Sequence, residues 1–217
     1  MRIIYLSISL IVIDQISKLF VKGFKIPFLG IDITGMQYGE SIPVIGDFFK
    51  LTFVENPGMA FGIDFGDTVK LWISVFSIVA SIGLVFYLYY IRNQGFTFRL
   101  SIALILAGAV GNAIDRVFYG LFYGYSPIFF GKVVDFFDLD FFNFEILGRT
   151  YDRWPIFNVA DMAVSAGVIV LILFYNKHEK KAETVSADSS PVSEIEVNET
   201  DSPVSDGQDI KLAEIKE

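Results

Sequence analysis

Four apolar runs, at about residues 3–22, 69–91, 100–119 and 157–175, constrain this chain more than any other feature of its 217 residues. A helix rises ~1.5 Å per residue, so ~20 residues cross a hydrocarbon core ~30 Å thick. Inside that core the backbone has no water to bond, and a helix satisfies it internally. The expected fold is an all-α membrane bundle of four transmembrane helices. Composition agrees, with 53% hydrophobic residues and 23 Phe. The first run follows Arg2 and so looks like a signal peptide. No small-x-small cleavage site follows, however, and the pattern continues through Phe20 and Val21, so it is read as an uncleaved helix.

Charge sets the orientation. The loop 92–99 carries two Arg and no acid, and Lys177, Lys180 and Lys181 follow the last run. Basic loops stay in the cytoplasm, so both termini are expected there, with Arg2. Lys18, Lys22 and Lys25 on the outer side count against this and are outweighed. Residues 23–46 carry Gly and Pro at short intervals and read as extramembrane loop. Asp47–Val54 reads as a strand, and Asn56-Pro57-Gly58 as a turn after it. The second external segment, 120–156, includes Lys132–Phe137, which fits a short strand or a surface helix. The formal charge of −8 belongs to the end of the chain. From Ala182 onward there are ten acids and two lysines, which leaves fifteen acids and fifteen bases elsewhere. Residues 177–217 are expected to be a disordered, acidic, cytoplasmic tail, and no nucleic-acid partner is expected.

The chain has no Cys and one His, His178, which sits among lysines as a solvated interfacial residue. That excludes disulfides, thiol nucleophiles and two-histidine zinc helices, and no metal or cofactor is expected. What remains is a set of polar residues at membrane depth, where ionisable groups are costly and mark functional sites. Asp14 and Lys18 are i,i+4 on one face, either snorkelling at the helix end or lining a groove. Gly108, Asn112 and Asp115 share a face of the third helix, with Arg116 beside them. Asn158, Asp161 and Ser165 share a face of the fourth. If those faces meet, two carboxylates approach each other near the outer side of the membrane. Such a pair holds one proton between them and can supply an acid and a base together. The competing reading is that both aspartates are structural, bonded to helix ends or to an Arg. For Asn56 the plain reading is a turn former, and for Asp135 a solvated loop carboxylate.

Five blocks occur in order: Asp14-x-x-x-Lys18, Asn56-x-Gly58-x-Ala60-Phe61-Gly62, Gly111-Asn112-x-x-Asp115-Arg116, Val133-Val134-Asp135-Phe136 and Phe157-Asn158-x-Ala160-Asp161. Together they resemble the signature blocks of lipoprotein signal peptidase, the type II signal peptidase of bacteria. The resemblance covers about residues 2–176, which it makes an integral membrane peptidase domain. It implies an intramembrane aspartic endopeptidase of the bacterial inner membrane. The implied reaction removes the signal peptide from a diacylglyceryl-modified prolipoprotein, just before the lipidated cysteine. The implied dyad is Asp115 and Asp161. Asp14, Lys18, Asn56, Gly108, Asn112, Arg116, Asn158 and Ala160 would bind substrate or orient the dyad, and Gly58, Ala60 and Asp135 would be structural. A small extracytoplasmic β-sheet cradle and a surface helix or loop would complete the fold. A membrane-lipid surrounding, inhibition by globomycin and a monomeric state are also implied. Ala107 stands where the family often has a second Gly, and the acidic tail is outside its pattern.

Two rival readings are a proton-coupled transporter and a metal-dependent lipid-head-group transferase. The first needs a carboxylate relay across the membrane, whereas these carboxylates cluster at one face. The second needs several Asp on neighbouring turns to hold Mg²⁺, and the third helix offers one.

Overall fold

The computed structural model describes residues 2–58, 66–140, 144–146, 149–151 and 153–188. Its helices are α1 (Ile3–Lys22), α2 (Gly66–Tyr90), α3 (Phe96–Ile114) and α4 (Val159–Asp188). At its site end α3 passes without a break into a π-helical turn, Asp115–Tyr119, and a last helical turn, Gly120–Phe122. Three of these rods, α1, α2 and Phe96–Phe122, are long and apolar enough to cross a membrane, with mean hydropathies of 1.7, 2.2 and 1.6. The apolar part of α4, Val159–Phe174, is shorter.

The bundle is apolar outside and partly polar inside, the reverse of a water-soluble helix pack. On α1 the residues Tyr5, Ile8, Val12, Ile16 and Phe20 form an exposed stripe at helical spacing, while Ser7, Asp14 and Lys18 are buried. The central rod is α3, which packs against α1, α2 and α4. Small residues permit this. A Cβ at Gly108 would stand 2.2 Å from the Ala160 carbonyl oxygen, and one at Gly111 2.7 Å from Asp14 Oδ2. With no hydrophobic driving force between them in lipid, membrane helices associate through the van der Waals packing that such close backbone approach allows. The Ser7 hydroxyl adds a bond to the Ala103 carbonyl at 2.8 Å.

Segment 23–46, expected as loop, holds three strands. Hairpin β1–β2 pairs Gly23–Ile26 with Ile31–Thr34, and β3 (Ser41–Ile45) joins β4 (Phe49–Asn56). Several of the Gly and Pro residues that suggested a loop sit at the turns, where Gly30 and Gly46 have φ of +64° and +51° and Pro27 opens the turn of the first hairpin, while Gly23 and Pro43 lie within β1 and β3. β5 (Val133–Leu139) completes an antiparallel sheet in the order β3-β4-β5. This settles Lys132–Phe137 in favour of a strand, and beyond the last turn of the α3 rod no helix lies among the described residues of 120–156. The run Val-Val-Asp-Phe-Phe packs Val134 and Phe136 with Val21, Phe53 and Tyr119, so the sheet is bolted to the ends of α1 and α3. A further hairpin joins β6 (Phe144–Ile146) to β7 (Arg149–Tyr151). Helix ends also moved. α2 starts at Gly66, not 69, and α3 at Phe96, not 100. α4 runs to Asp188, past the expected end at 175, because the Lys, Glu and Ala that follow the apolar run are good helix formers. Residues 189–217 lie outside the described part.

Candidate active site

The site is built where α1, the π turn of α3, β5 and the start of α4 converge. Lys18 is fully buried. Its ammonium reaches Asp14 Oδ2 and Asp115 Oδ2, both at 2.9 Å, and Asn112 Oδ1 at 3.0 Å. Three donors thus meet three acceptors, which is what a buried cation requires if its desolvation is to be offset. The other Asp14 oxygen accepts the Ala160 N–H at 2.9 Å, tying α1 to the first turn of α4. Asp115 is likewise saturated. Its Oδ1 accepts from Gln15 Nε2 at 2.9 Å, and its Oδ2 from Lys18 and from the Val134 N–H at 3.2 Å. Gln15 also reaches Asp14 Oδ2 and the Gly111 carbonyl, both at 3.1 Å, and accepts the Tyr119 hydroxyl at 3.2 Å.

A second group adjoins this knot through Asn112. The Asn112 Oδ1 that binds Lys18 also accepts from Asn158 at 3.1 Å, while its Nδ2 donates to Asp161 Oδ1 at 2.8 Å. Asn158, the residue before α4, caps the helix reciprocally with Asp161. Its Oδ1 accepts the Asp161 N–H at 3.0 Å, and its own N–H donates to Asp161 Oδ2 at 3.2 Å. This is a capping box with Asp as the third residue. The Asn158 amide meanwhile donates to Asp135 Oδ1 at 2.6 Å and to the Val134 carbonyl at 3.2 Å. One asparagine therefore holds Asp135 on β5 and Asp161 on α4 together.

One expectation changes here. Asp135 is not a solvated loop carboxylate: it lies in a strand, 4% exposed, and among the described residues it has no ion-pair partner. Burial, and then the neighbouring Asp161 charge, push its carboxyl up to about 8 against the pull of Lys18 and Asn158. Asp115, in turn, is linked to Asp161 through Lys18 and then Asn112. Its two oxygens are filled by Lys18, Gln15 and a backbone N–H, so it faces the knot and not α4.

The other expected residues fall as follows. Arg116 donates to the Asn112 carbonyl at 3.5 Å, its Nε has no partner, and the charges of Asp115, Asp161 and Asp135 all act on it. Asn56 ends β4 and accepts the Gly58 N–H at 2.9 Å, a side-chain turn of the expected kind. Gly58 has φ +94°, which favours glycine. Gly108 and Ala160 are packing positions of the α3–α4 contact. Ala60, with Phe61 and Gly62, lies outside the described residues.

The sequence profile of the family described as Signal peptidase (SPase) II matches residues 6–177. The chain belongs to the signal peptidase II family. Relatives agree. The lipoprotein signal peptidase of Pelodictyon phaeoclathratiforme is 40% identical over 177 residues, covering 80% of this chain and 90% of that protein. That of Moorella thermoacetica is 39% identical over 171 residues, covering 79% and 90%. Two solved structures of a bacterial membrane enzyme superpose with TM-scores of 0.57. One is 30% identical and covers 91% of this chain and 94% of its own; the other is 31% identical and covers 79% and 90%. Membership of the signal peptidase II family makes the chain a membrane protease.

Within this signal peptidase II chain several polar contacts escaped notice in the sequence. Gln15 was overlooked between Asp14 and Lys18, although an amide at membrane depth is itself a signal. Tyr119 follows Asp115 by four residues, the spacing that places both on one helix face. Lys22 pairs with Glu55 at 2.5 Å under the rings of Tyr123 and Tyr125, whose centroids lie 4.0 and 4.6 Å away. Glu55 also pairs with Lys132 at 3.3 Å. No local spacing announces that cluster.

Proposed function

We propose that this chain removes signal peptides from diacylglyceryl-modified prolipoproteins at the bond before the lipidated cysteine, with Asp135 and Asp161 as its acid–base pair. The observation that carries the choice of pair is the Asn158 clamp, which holds two carboxylates, neither with an ion-pair partner among the described residues, beside each other. Asp115, expected in this role, is better suited to anchoring Lys18. In the reaction, ionised Asp161 takes a proton from a water whose oxygen attacks the scissile carbonyl carbon. Protonated Asp135 gives its proton to the carbonyl oxygen. The tetrahedral intermediate then collapses: the C–N bond breaks, the amine leaves with a proton returned by Asp161, and Asp135 recovers its own. Asn112 and Asn158 fix the Asp161 oxygens, and Arg116 is placed to bind the substrate backbone with its unfilled donors. Asp14, Lys18, Gly108 and Ala160 hold α1, α3 and α4 in register, while Asn56 and Gly58 shape the strand end beside the site.

The surrounding frame belongs to the same proposal. All four helices cross the inner membrane, α4 with its polar extension emerging on the cytoplasmic side, and the site faces outward. The enzyme works as a monomer, is blocked by globomycin, and carries residues 189–217 as an acidic tail. The test is cleavage of a purified diacylglyceryl-prolipoprotein by Asp135→Asn, Asp161→Asn and Asp115→Asn proteins. Asp135→Asn and Asp161→Asn should fold and lose cleavage. Normal processing by Asp135→Asn, with loss in folded Asp115→Asn, would restore the Asp115–Asp161 pair.

A further inference from the structure

The hairpin β1–β2 takes no part in the site and, among the described residues, joins no other strand. Its register places the pairs Phe24–Ile33 and Ile26–Ile31 on one face, and Lys25–Asp32, an ion pair at 2.8 Å, on the other. A lone two-stranded hairpin is marginal in water and needs something to cover its apolar face. At its turn Phe28 and Leu29 are 86% and 59% exposed, more apolar surface than a water-facing turn has reason to carry.

The structure indicates what lies against that face. The Phe24 ring packs edge-on to Phe20, with centroids 6.4 Å apart at 81°. Phe20 belongs to the outward apolar stripe of α1. The apolar face of the hairpin is thus continuous with the stripe that meets lipid. Its root is also fixed to the bundle: the Met36 N–H bonds the Val21 carbonyl at 2.7 Å, and the Tyr123 hydroxyl bonds the Gly23 carbonyl at 2.8 Å. A Cβ at Gly23 would stand 2.4 Å from the Gly35 nitrogen, so the two ends of the hairpin are pressed together where it leaves α1.

We propose that β1–β2 is an interfacial anchor whose apolar face and Phe28–Leu29 turn lie in the lipid leaflet on the site side of the membrane. Lys25 and Asp32 face the head groups and water, as on interfacial amphipathic elements generally. The anchor would hold the sheet carrying Asp135 at a constant depth, against a substrate that is itself embedded in lipid. The inference rests on α1 crossing the membrane.

The chain has no Cys, so a single introduced thiol reports one position. Phe28→Cys, Leu29→Cys, Lys25→Cys and, on the α1 stripe, Ile8→Cys proteins would each carry a nitroxide. Each would be reconstituted in vesicles of phosphatidylethanolamine and phosphatidylglycerol. Collision with oxygen and with a water-soluble nickel chelate gives label depth. Labels at 28 and 29 should sit about 5–10 Å below the phosphates, with the label at 25 in water and that at 8 deep in lipid. Labels at 28 and 29 as aqueous as 25, with 8 in lipid, would overturn the anchor and leave the membrane frame standing. Shielding of 28 and 29 from both reagents would replace lipid by protein as the occupant, also overturning it. A label at 8 outside lipid would defeat the frame and the anchor together.

Discussion

Asp115 and Asp135 are both buried, but with different partners. Asp115 has a lysine and two further donors on its oxygens, so its charge is matched. Asp135 has one amide donor and a like charge nearby, so its proton is retained. Its carboxyl stands at about 8 against an ordinary 3.8. The native state therefore binds that proton more tightly than the unfolded chain does. This contribution favours the native state at low pH and is lost as pH rises from about 4 toward 8. Asp135→Asn should flatten the slope of thermal stability against pH in that window, and an unchanged slope would deny the raised value. For cleavage by the unaltered enzyme, kcat/KM should fall as pH rises through about 8, as the general acid loses its proton. Asp115→Asn acts differently. It removes one of two carboxylates from a buried ammonium and should cost about 3 kcal/mol of stability at neutral pH, read by thermal denaturation in micelles. A loss no greater than a surface substitution would mean that the Lys18 knot is not structural. Much of this was legible from spacing alone: Asp14 and Lys18 at i,i+4, and Asn158 with Asp161 at the start of a helix. Asp135 was not, because its burial is created by pairing with Val54 across more than eighty residues, which no local pattern encodes.

At the scale of elements, the apolar runs announced the helices because lipid imposes a length, whereas strands 23–45 hid among their own turn residues. The α3–α4 seam shows how little slack the packing leaves. A methyl group at Gly108 would meet the Ala160 backbone oxygen, which cannot swing away, and also Val164 Cγ2 at 2.4 Å. At Gly111 the nearest atom belongs to the Asp14 side chain, which is itself held by Lys18 and the Ala160 N–H. Overpacking of this kind costs about 1–3 kcal/mol. Gly108→Ala should therefore lower the melting temperature and displace α4, with Asp161 on it, so that kcat falls too. Ala107→Gly, one position away, should leave cleavage unchanged. Equal behaviour of the two variants would show that the α3–α4 spacing is not set at Gly108. The π turn at Asp115–Tyr119 belongs to the same economy. It holds Asp115 and Tyr119, which both bond Gln15, and such bulges gather at functional sites.

For the whole molecule, the open question of orientation can be reduced to which water compartment each end of the bundle meets. Arg92 and Arg99 lie by the α2–α3 turn, while the sheet, the Lys18 knot and the Asp135–Asp161 pair lie at the opposite end of α3. Basic residues are retained in the cytoplasm far more strongly than acidic ones are excluded from it. Two of the three lysines that count against an outward-facing site, Lys18 and Lys22, do not compete as free charges. Lys18 is neutralised within the bundle, and Lys22 is paired with Glu55 beneath two tyrosine rings. On the proposed topology the arginine turn is the deciding signal, and the sheet is expected to face outward. In right-side-out spheroplasts, an impermeant maleimide should label a thiol at Asp47→Cys, beside the sheet, and should reach Asn93→Cys only after lysis. The reverse pattern would put the site on the cytoplasmic side. It would also remove the reason for the arrangement, since a signal peptide crossing the membrane presents the start of its mature chain at the outer surface.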